Sequence, residues 1–330
     1  MTPSAPLKIL APVDRVEEVA LLARAGAHEL YGGVAPRDWP AGQVSSNQRT
    51  FASAQFPSES AFAEAAQEAR RLGLSLHLAL NAPVYGPSRY GSLLGLARRA
   101  AGWGVAGAIV GDPGLLVRLC RERLPLEVTL STLAGARNAS AVGVFRRLGV
   151  RRVVLPRHLT LDEVARVVGA HPDLSFEAFV LMGRCPNEEA LCTFQHVSPS
   201  RRWPCEIPYD LRDPSGAPLD PRHPLARWHA RWAGADRRLA CGVCALARLR
   251  KAGVRYVKLV GRGGPTEAKV AHVGLVAGLL AEPAPERLGP AAYRACFGRP
   301  CHPLTCYFPE LRAADREEPP GRGSQAEGGH

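Results

Sequence analysis

The stretch "EVTLSTLAGARNASAVGVFRRLGVRRVVLPR", residues 127–157, contains a complete strand–helix–strand pattern. Its two ends, 127–132 and 152–157, are short runs that contain the β-branched residues favoured in strands. Between them, residues 138–149 carry apolar side chains at helical spacing and end at a glycine, as helices commonly do. Strands that alternate with helices lie parallel in one sheet. The stretch therefore predicts a βαβ unit.

The same alternation recurs along most of the chain. The further strand candidates are residues 8–10, 28–33, 75–80, 107–111, 175–182 and 255–260. Eight such units in about 275 residues match a (β/α)8 TIM-type barrel better than an open sheet. No glycine-rich dinucleotide fingerprint follows the first strand, which counts against a nucleotide-binding fold.

Two segments are additional to the strands and helices of a minimal barrel. We assign residues 1–280 to the barrel and place an insertion at 183–253, in a long cysteine-bearing connection after the seventh strand. Residues 281–311 form a Cys-rich C-terminal extension, and the polar, Pro/Gly-rich residues 312–330 are expected to be a disordered tail. Because connections that follow strands lie at the carboxyl-terminal face, where such barrels carry their chemistry, we expect the insertion over the barrel mouth.

The bulk composition indicates a cytoplasmic, soluble protein. The N-terminus lacks the features of a signal peptide, and no apolar run approaches the roughly 20 residues that span a bilayer. In a reducing compartment the nine cysteines are expected to bind metal or act in catalysis rather than form disulfides, although Cys120 in an apolar helical run is expected only to pack. The net charge of +12 can attract phosphates, but the arginines are scattered.

The insertion concentrates thiols at irregular spacing. Cys185, Cys192 and Cys205 are followed by Cys241 and Cys244. Four thiolates bind either Zn²⁺ or a [4Fe–4S] cluster. Only Cys241 and Cys244 have the close spacing of a zinc knuckle, and the wide spacing of the others favours a cluster. A zinc site and unliganded thiols remain the alternatives.

Four segments resemble peptidase family U32, the collagenase-like peptidases. They are "ILAPVDRVEEVALLARAGAHELYGGV", "LSTLAGARNASAVGVFRRLGVRRVVLPRHLTLDEV", "FEAFVLMGRCPNEEALC" and "AGVRYVKLVGR". The resemblance implies a barrel of the type argued above. It also implies a [4Fe–4S] cluster and oxygen-independent hydroxylation, with prephenate as oxygen source and an RNA base or an aromatic ubiquinone precursor as substrate. The ligands implied by position are Cys185, Cys192, Cys205 and Cys241, spaced as in the short hydroxylase subunits of ubiquinone biosynthesis, which suggests a paralogous partner subunit.

The chain departs from the family pattern in three places. The last strand reads Lys258-Leu259-Val260-Gly261-Arg262, without the glutamate that relatives commonly carry there, and Arg157-His158 stands where relatives often have Arg-Glu. Both departures put the roles of the family glutamates in doubt. The third departure is a set of additional cysteines, Cys244, Cys296, Cys301 and Cys306. They are candidates for a second cluster, a zinc clip or free thiols.

Polar residues at the predicted strand ends complete the candidate site. A substrate is expected to meet Tyr31, Asn81, Ser131, Arg157, Arg262 and Gly263. Arg157 offers a planar fork for a carboxylate, and the glycine-rich turn at 261–264 before a helix favours an anion. His158, Glu177 and Lys258 are the candidates for acid–base catalysis, and the alternatives are a surface histidine and an internal Glu177–Lys258 ion pair.

Three functions follow from this reading. The leading hypothesis is an iron–sulfur hydroxylase, or a subunit of one, acting on an aromatic small molecule or a nucleobase. The first rival is a U32-type peptidase, although the chain has neither a Gly-x-Ser-x-Gly elbow nor an HExxH motif. The second rival is a non-catalytic RNA-binding or scaffold protein with a structural metal.

Overall fold

The computed structural model describes residues 5–40, 45–48, 52–185, 188–192, 210–233, 235–283 and 285–314. Within these ranges eight parallel strands close into a barrel, because β1 pairs with both β2 and β8. The predicted TIM-type (β/α)8 fold is therefore confirmed. The strands are β1 Lys8–Pro12, β2 Glu29–Gly32, β3 Ser75–Leu80, β4 Gly107–Val110, β5 Glu127–Leu130, β6 Arg152–Val154, β7 Ser175–Leu181 and β8 Tyr256–Leu259.

The helices begin and end where local sequence signals place them. Asn138 caps α5 through its side chain, and Thr160 and Glu163 form a reciprocal capping box at α6. Gly149 follows α5 at a φ of +109°, a conformation that glycine adopts at low cost. The helices are α1 Val16–Arg24, α2 Glu59–Arg71, α3 Tyr90–Gly102, α4 Pro113–Glu122, α5 Ala139–Arg147, α6 Leu161–Gly169, α7 Pro224–Ala233, α8 Leu246–Lys251, α9 Thr266–Ala281, α10 Pro285–Phe297 and α11 Glu310–Ala314.

The barrel interior holds a buried ionic network. Arg152 of β6 reaches Glu177 of β7 at 2.6 Å and Glu29 of β2 at 2.7 Å, while His77 of β3 lies 3.2 Å from Glu29. Lys258 of β8 donates to Glu177 at 2.9 Å. Since β2 and β6 are not neighbours, these contacts cross the inside of the barrel. The network links five strands through charge pairs instead of apolar packing.

Glu29 gives this network a measurable pH dependence. Burial pushes the pKa of Glu29 upward, but His77 and Arg152 outweigh burial and lower it from 4.5 to about 2. The stabilisation is therefore complete above pH 4.5 and is lost as the pH falls through about 2. We expect Glu29→Gln to lower the free energy of unfolding at pH 7 by roughly 3 kcal/mol, measured by denaturant titration.

The difference between wild type and Glu29→Gln should shrink as the pH falls from 4.5 towards 2. The exposed Glu17 provides the control, since Glu17→Gln should leave stability nearly unchanged at every pH. A Glu29→Gln penalty that stays constant across this pH range would contradict the assignment.

The C-terminal extension is folded against the barrel. The carboxylate of Glu310 accepts a hydrogen bond from the backbone N–H of Leu161, at the start of α6, over 2.9 Å. This contact anchors α11, which extends to residue 314 and so covers the first three residues of the predicted tail 312–330. Residues 315–330 lie outside the described residues. Among the helices that are described, none has the length and apolar character needed to cross a membrane.

Candidate active site and metal centre

The cysteine-bearing connection turns sharply as it leaves β7. Met182 and Gly183 both adopt positive φ, at +68° and +71°. The Tyr307 hydroxyl donates to the Met182 carbonyl over 2.5 Å, and the Met182 N–H donates to the carbonyl of Ala240 over 2.7 Å. The C-terminal extension thus holds the start of the loop at the carboxyl end of the barrel.

Two adjacent acidic residues fasten this loop to the rim. Glu189 is ion-paired with Arg157, and both side chains are largely buried. Glu188 lies 3.2 Å from Nδ1 of His158 and 3.4 Å from Nε of Arg137. These basic residues follow β5 and β6, so the loop 188–192 crosses the mouth from β7 towards β5.

The predicted role of Arg157 changes with this geometry. Its guanidinium carbon lies 3.6 Å from the centroid of the Phe179 ring, and its charge is paired with Glu189. Arg157 therefore binds a carboxylate of the chain itself in this structure, and its contact with a substrate stays a prediction. His158 is about half exposed and paired with Glu188, which agrees with a surface role better than with catalysis.

The loop thiols are only partly placed. Cys185 and Cys192 are both half-buried, and Nε2 of Gln48 donates to Sγ of Cys192 over 3.8 Å. Gln48 lies in the connection after β2, so Cys192 reaches the opposite side of the mouth. Cys205 lies outside the described residues.

A short polar segment, Ser45–Gln48, covers part of the mouth and was not predicted from the sequence. All four of its residues are buried. The guanidinium of Arg262 donates to the Asn47 carbonyl over 2.7 Å and to its Oδ1 over 3.2 Å. The Tyr85 hydroxyl donates to the Ser46 carbonyl over 2.5 Å. The run "SSNQ" is the only sequence signal for this segment, and its contacts come from distant loops.

Gly33 leaves the space that Asn47 and Arg262 occupy. A Cβ atom on residue 33 would lie 2.5 Å from Nδ2 of Asn47 and 2.7 Å from Nη1 of Arg262. Because both partners are buried, we expect Gly33→Ala to lower the free energy of unfolding by about 1–3 kcal/mol, measured by thermal and denaturant melts. The control is Gly91→Ala, where no atom lies within 4 Å. A fully stable Gly33→Ala protein would show that this packing is not required.

In the glycine-rich turn after β8, a backbone N–H is already hydrogen-bonded to a carboxylate of the chain. The N–H of Gly263 donates to Oδ2 of Asp14 over 2.6 Å, and Lys269 pairs with the same oxygen. Burial raises the pKa of Asp14, and Lys269 and Arg262 offset only part of this effect. In this structure Gly263 donates to Asp14 and Arg262 donates to Asn47, and the binding of an external anion by these two residues stays a prediction.

Three other predicted substrate contacts lie near the strand ends. Oδ1 of Asn81, directly after β3, is buried and has no hydrogen-bond partner among the described residues. Ser131 caps the short helical turn 132–134. The Tyr31 hydroxyl donates to the carbonyl of Leu259, and its ring lies under Lys258 inside the barrel.

Glu177 and Lys258 form the internal ion pair that was the alternative to acid–base catalysis. Burial favours the neutral carboxyl, but Lys258 and Arg152 outweigh it and lower the pKa of Glu177. Burial also lowers the pKa of Lys258, with Glu177 opposing the shift. Both side chains are buried within the network, so the predicted catalytic role gains no support from their position.

A second group of cysteines lines a cavity beside the loop. Cys241, Cys244, Cys301 and Cys306 surround about 300 Å³ of empty space, part of which is open to solvent. Cys296, which the sequence reading placed with this group, is not among the lining residues, and neither are the loop thiols Cys185 and Cys192. Within the described ranges no three Cys, His, Asp or Glu side chains are arranged around a single metal ion. The structure thus joins Cys241 to the C-terminal cysteines.

Comparisons with known proteins identify relatives of the whole barrel. The profile of Peptidase family U32 matches residues 14–284. tRNA hydroxylation protein P of Haemophilus influenzae is 36% identical over 85 residues, which are 26% of this chain and 18% of the relative. tRNA hydroxylation protein P1 of Bacillus subtilis is 26% identical over 221 residues, which are 64% of this chain and 48% of the relative. The chain therefore spans less than half the length of each of these relatives.

The fold has solved counterparts as well. The U32 peptidase Mk0906 superposes with a TM-score of 0.52 at 16% identity, covering 80% of this chain and 96% of that protein. This likeness shows that the two proteins share the barrel fold over nearly the full length of the solved structure. Together with the match over residues 14–284, it supports the resemblance found in the sequence. The chain belongs to peptidase family U32.

Proposed function

We propose that this chain takes part in the hydroxylation of a tRNA base. The observation that carries the proposal is the match of 64% of the chain to a protein named for tRNA hydroxylation, with further relatives of the same name. The net charge of +12 supports a polyanionic substrate, because phosphate groups dominate the attraction between proteins and nucleic acids. We place the reaction in the cytoplasm, where tRNA is available.

The mouth offers features that suit a nucleobase. Asn81 holds a buried acceptor that has no partner in the described part of the chain and would suit an exocyclic amino group or a ring N–H. The loop 188–192 and the segment Ser45–Gln48 narrow the opening from opposite sides. A base that enters beside them would be shielded from water, as enzymes that act on bases require of their pockets.

The donor set of the loop fits an iron–sulfur cluster. Cys185 and Cys192 supply soft thiolates at the mouth, Cys205 belongs to the same loop in sequence, and the Gln48 amide stabilises the Cys192 sulfur. When bound, a [4Fe–4S] cluster would supply electron transfer for an oxygen-independent reaction. The resemblance implies Cys241 as the fourth ligand, although this residue pairs with Cys306 in the structure. It also implies a prephenate-type donor as the oxygen source, which would be reduced as the base is oxidised.

The charged residues of the rim keep this loop in place. Arg157 pairs with Glu189 in a largely buried contact, and the half-exposed His158 and Arg137 flank Glu188. We infer that these contacts position the thiols over the substrate. A paralogous subunit, if one is needed, would complete the site from the same face.

The test is nucleoside mass spectrometry of tRNA from a strain that lacks the gene. We expect one hydroxylated nucleoside to disappear and to return with the wild-type gene, but not with Cys192→Ser. Cys120→Ser is the matched control, because Cys120 lies in α4 and away from the mouth. An unchanged nucleoside profile in the deletion strain would rule out the proposal, and loss of a peptide-cleaving activity instead would favour the peptidase.

A further inference from the structure

The cavity formed by Cys241, Cys244, Cys301 and Cys306 is built by two segments that are distant in sequence. The Cys241 N–H donates to the Thr305 carbonyl over 3.0 Å, and the Tyr307 N–H donates to the Cys241 carbonyl over 2.8 Å. These bonds make Cys241 and Cys306 partners in a parallel bridge. Residues paired in this way project their side chains from the same face of the sheet. Cys241 and Cys306 therefore reach the cavity side by side.

The other two thiols approach from nearby turns. Cys244 lies in the short helical turn 243–245, three residues after Cys241. A Cβ atom on Gly289 of α10 would lie only 2.6 Å from the Cys244 sulfur, so glycine at this position makes room for the thiol. The guanidinium of Arg312 in α11 donates to the Cys301 carbonyl over 3.3 Å and helps to hold that turn.

The four cysteines are spaced along the chain as two close pairs, as in turns that bind a metal. Two residues separate Cys241 from Cys244, and four separate Cys301 from Cys306. Tetrathiolate centres commonly draw their ligands from two such pairs. Since no other role in the fold calls for four thiols around one space, this pairing points to a bound metal.

The walls of the cavity favour a cluster over a single ion. Val243, Phe308 and Leu311 supply apolar surface, and the described lining residues carry no charge, while Arg184 and Arg312 lie close enough to act on Cys306. The described thiols are not arranged around one ion position, although all four line the same partly open cavity. Thiolates held apart in an apolar enclosure suit a multi-iron cluster, whose sulfide bridges fill the middle.

We propose that Cys241, Cys244, Cys301 and Cys306 hold a second metal centre, an iron–sulfur cluster separate from the loop thiols Cys185, Cys192 and Cys205. Cys241 cannot bind iron in both places. Its bridge to Cys306 assigns it to the C-terminal centre. The C-terminal extension is then joined to the barrel by metal as well as by the hydrogen bonds of Tyr307 and Arg184.

The test compares metal content in single variants of the full chain purified without air. Iron, acid-labile sulfide and zinc are measured per chain, together with the absorption spectrum. Wild type should hold about eight irons if both centres are clusters. Cys244→Ser, Cys301→Ser and Cys306→Ser should each lose about half of the iron, and Cys241→Ser should lose the same half. Cys296→Ser is the control and should keep all of it.

Three outcomes would overturn the proposal. Full iron and zinc content in all of the Cys244, Cys301 and Cys306 variants would show that the cavity binds no metal. Loss of zinc instead of iron in these variants would replace the cluster with a zinc site. A Cys241→Ser, Cys301→Ser double variant that loses all of the iron, with a Cys241→Ser, Cys185→Ser double variant that loses only half, would return Cys241 to the loop.

A second readout covers variants that fail to fold. The wild-type protein is treated with an alkylating reagent before and after removal of its metal by a chelator, and each cysteine is followed by mass spectrometry. Cys244, Cys301 and Cys306 should be modified only after chelation, while Cys296 should react equally in both states. Equal reactivity of Cys244, Cys301 and Cys306 before and after chelation would contradict the proposed metal centre. Neither measurement depends on hydroxylation, so the cavity is tested independently of the proposed activity.

Discussion

Replacing Arg152 by methionine is expected to lower the free energy of unfolding by about 3–5 kcal/mol. Arg152 is almost fully buried and contacts Glu177 at 2.6 Å and Glu29 at 2.7 Å. Its removal takes the arginine partner from both carboxylates, which leaves Glu29 paired with His77 and Glu177 paired with Lys258. Denaturant titration at neutral pH measures the effect.

The control is an arginine in a surface pair. Arg146 contacts Asp173 at 2.7 Å, but nearly half of each side chain is exposed, so Arg146→Met should cost less than about 1 kcal/mol. Equal effects of the two substitutions would mean that the interior network is not the source of stability. Combining Arg152→Met with Glu29→Gln should cost less than the sum of the two single changes, because the ion pair that they share is then lost only once.

Glu189→Gln is expected to lower tRNA hydroxylation at least about tenfold, because breaking a largely buried ion pair costs several kcal/mol and each 1.4 kcal/mol is a factor of ten. The loss acts through the loop: without the pair to Arg157, the segment 188–192 is no longer fixed over the mouth. Nucleoside mass spectrometry measures the activity, and limited proteolysis reports whether the loop is released.

The neighbouring glutamate provides a matched control. Glu188 is paired with half-exposed partners, so Glu188→Gln should have a much smaller effect. Exchanging the pair in an Arg157→Glu, Glu189→Arg double variant should restore part of the activity that either single change removes. Full activity in Glu189→Gln with an unchanged proteolysis pattern would contradict the positioning role.

Most of the barrel is predictable because its signals are local. Each strand is a short run closed by a helix with a cap or a terminal glycine, as residues 127–157 show, and all eight strands lie where the sequence placed them. The ionic network is different. Arg152 begins an apolar strand and meets Glu29 only when the barrel closes, so nothing near it in sequence indicates the contact.

The location of the candidate site could be predicted from the sequence, but the contacts of its residues could not. Loop thiols at the carboxyl end of β7 followed from the barrel, and Cys185 and Cys192 are found there. The partners of Arg157 and Arg262 depended on Glu189 and Asn47, which reach them from other loops. In the same way, spacing along the chain could not show that Cys241 lies beside Cys306, since that pairing forms only when the C-terminal extension docks.

The central claim is that this U32 barrel supports hydroxylation of tRNA through metal held by its loop thiols. The most direct measurement incubates the full chain, purified without air and loaded with iron, with unmodified tRNA and prephenate. The account predicts a nucleoside heavier by one oxygen atom in the absence of dioxygen, and none with Cys192→Ser. A metal-loaded wild-type protein that leaves every nucleoside unchanged, with any required partner subunit present, would contradict it.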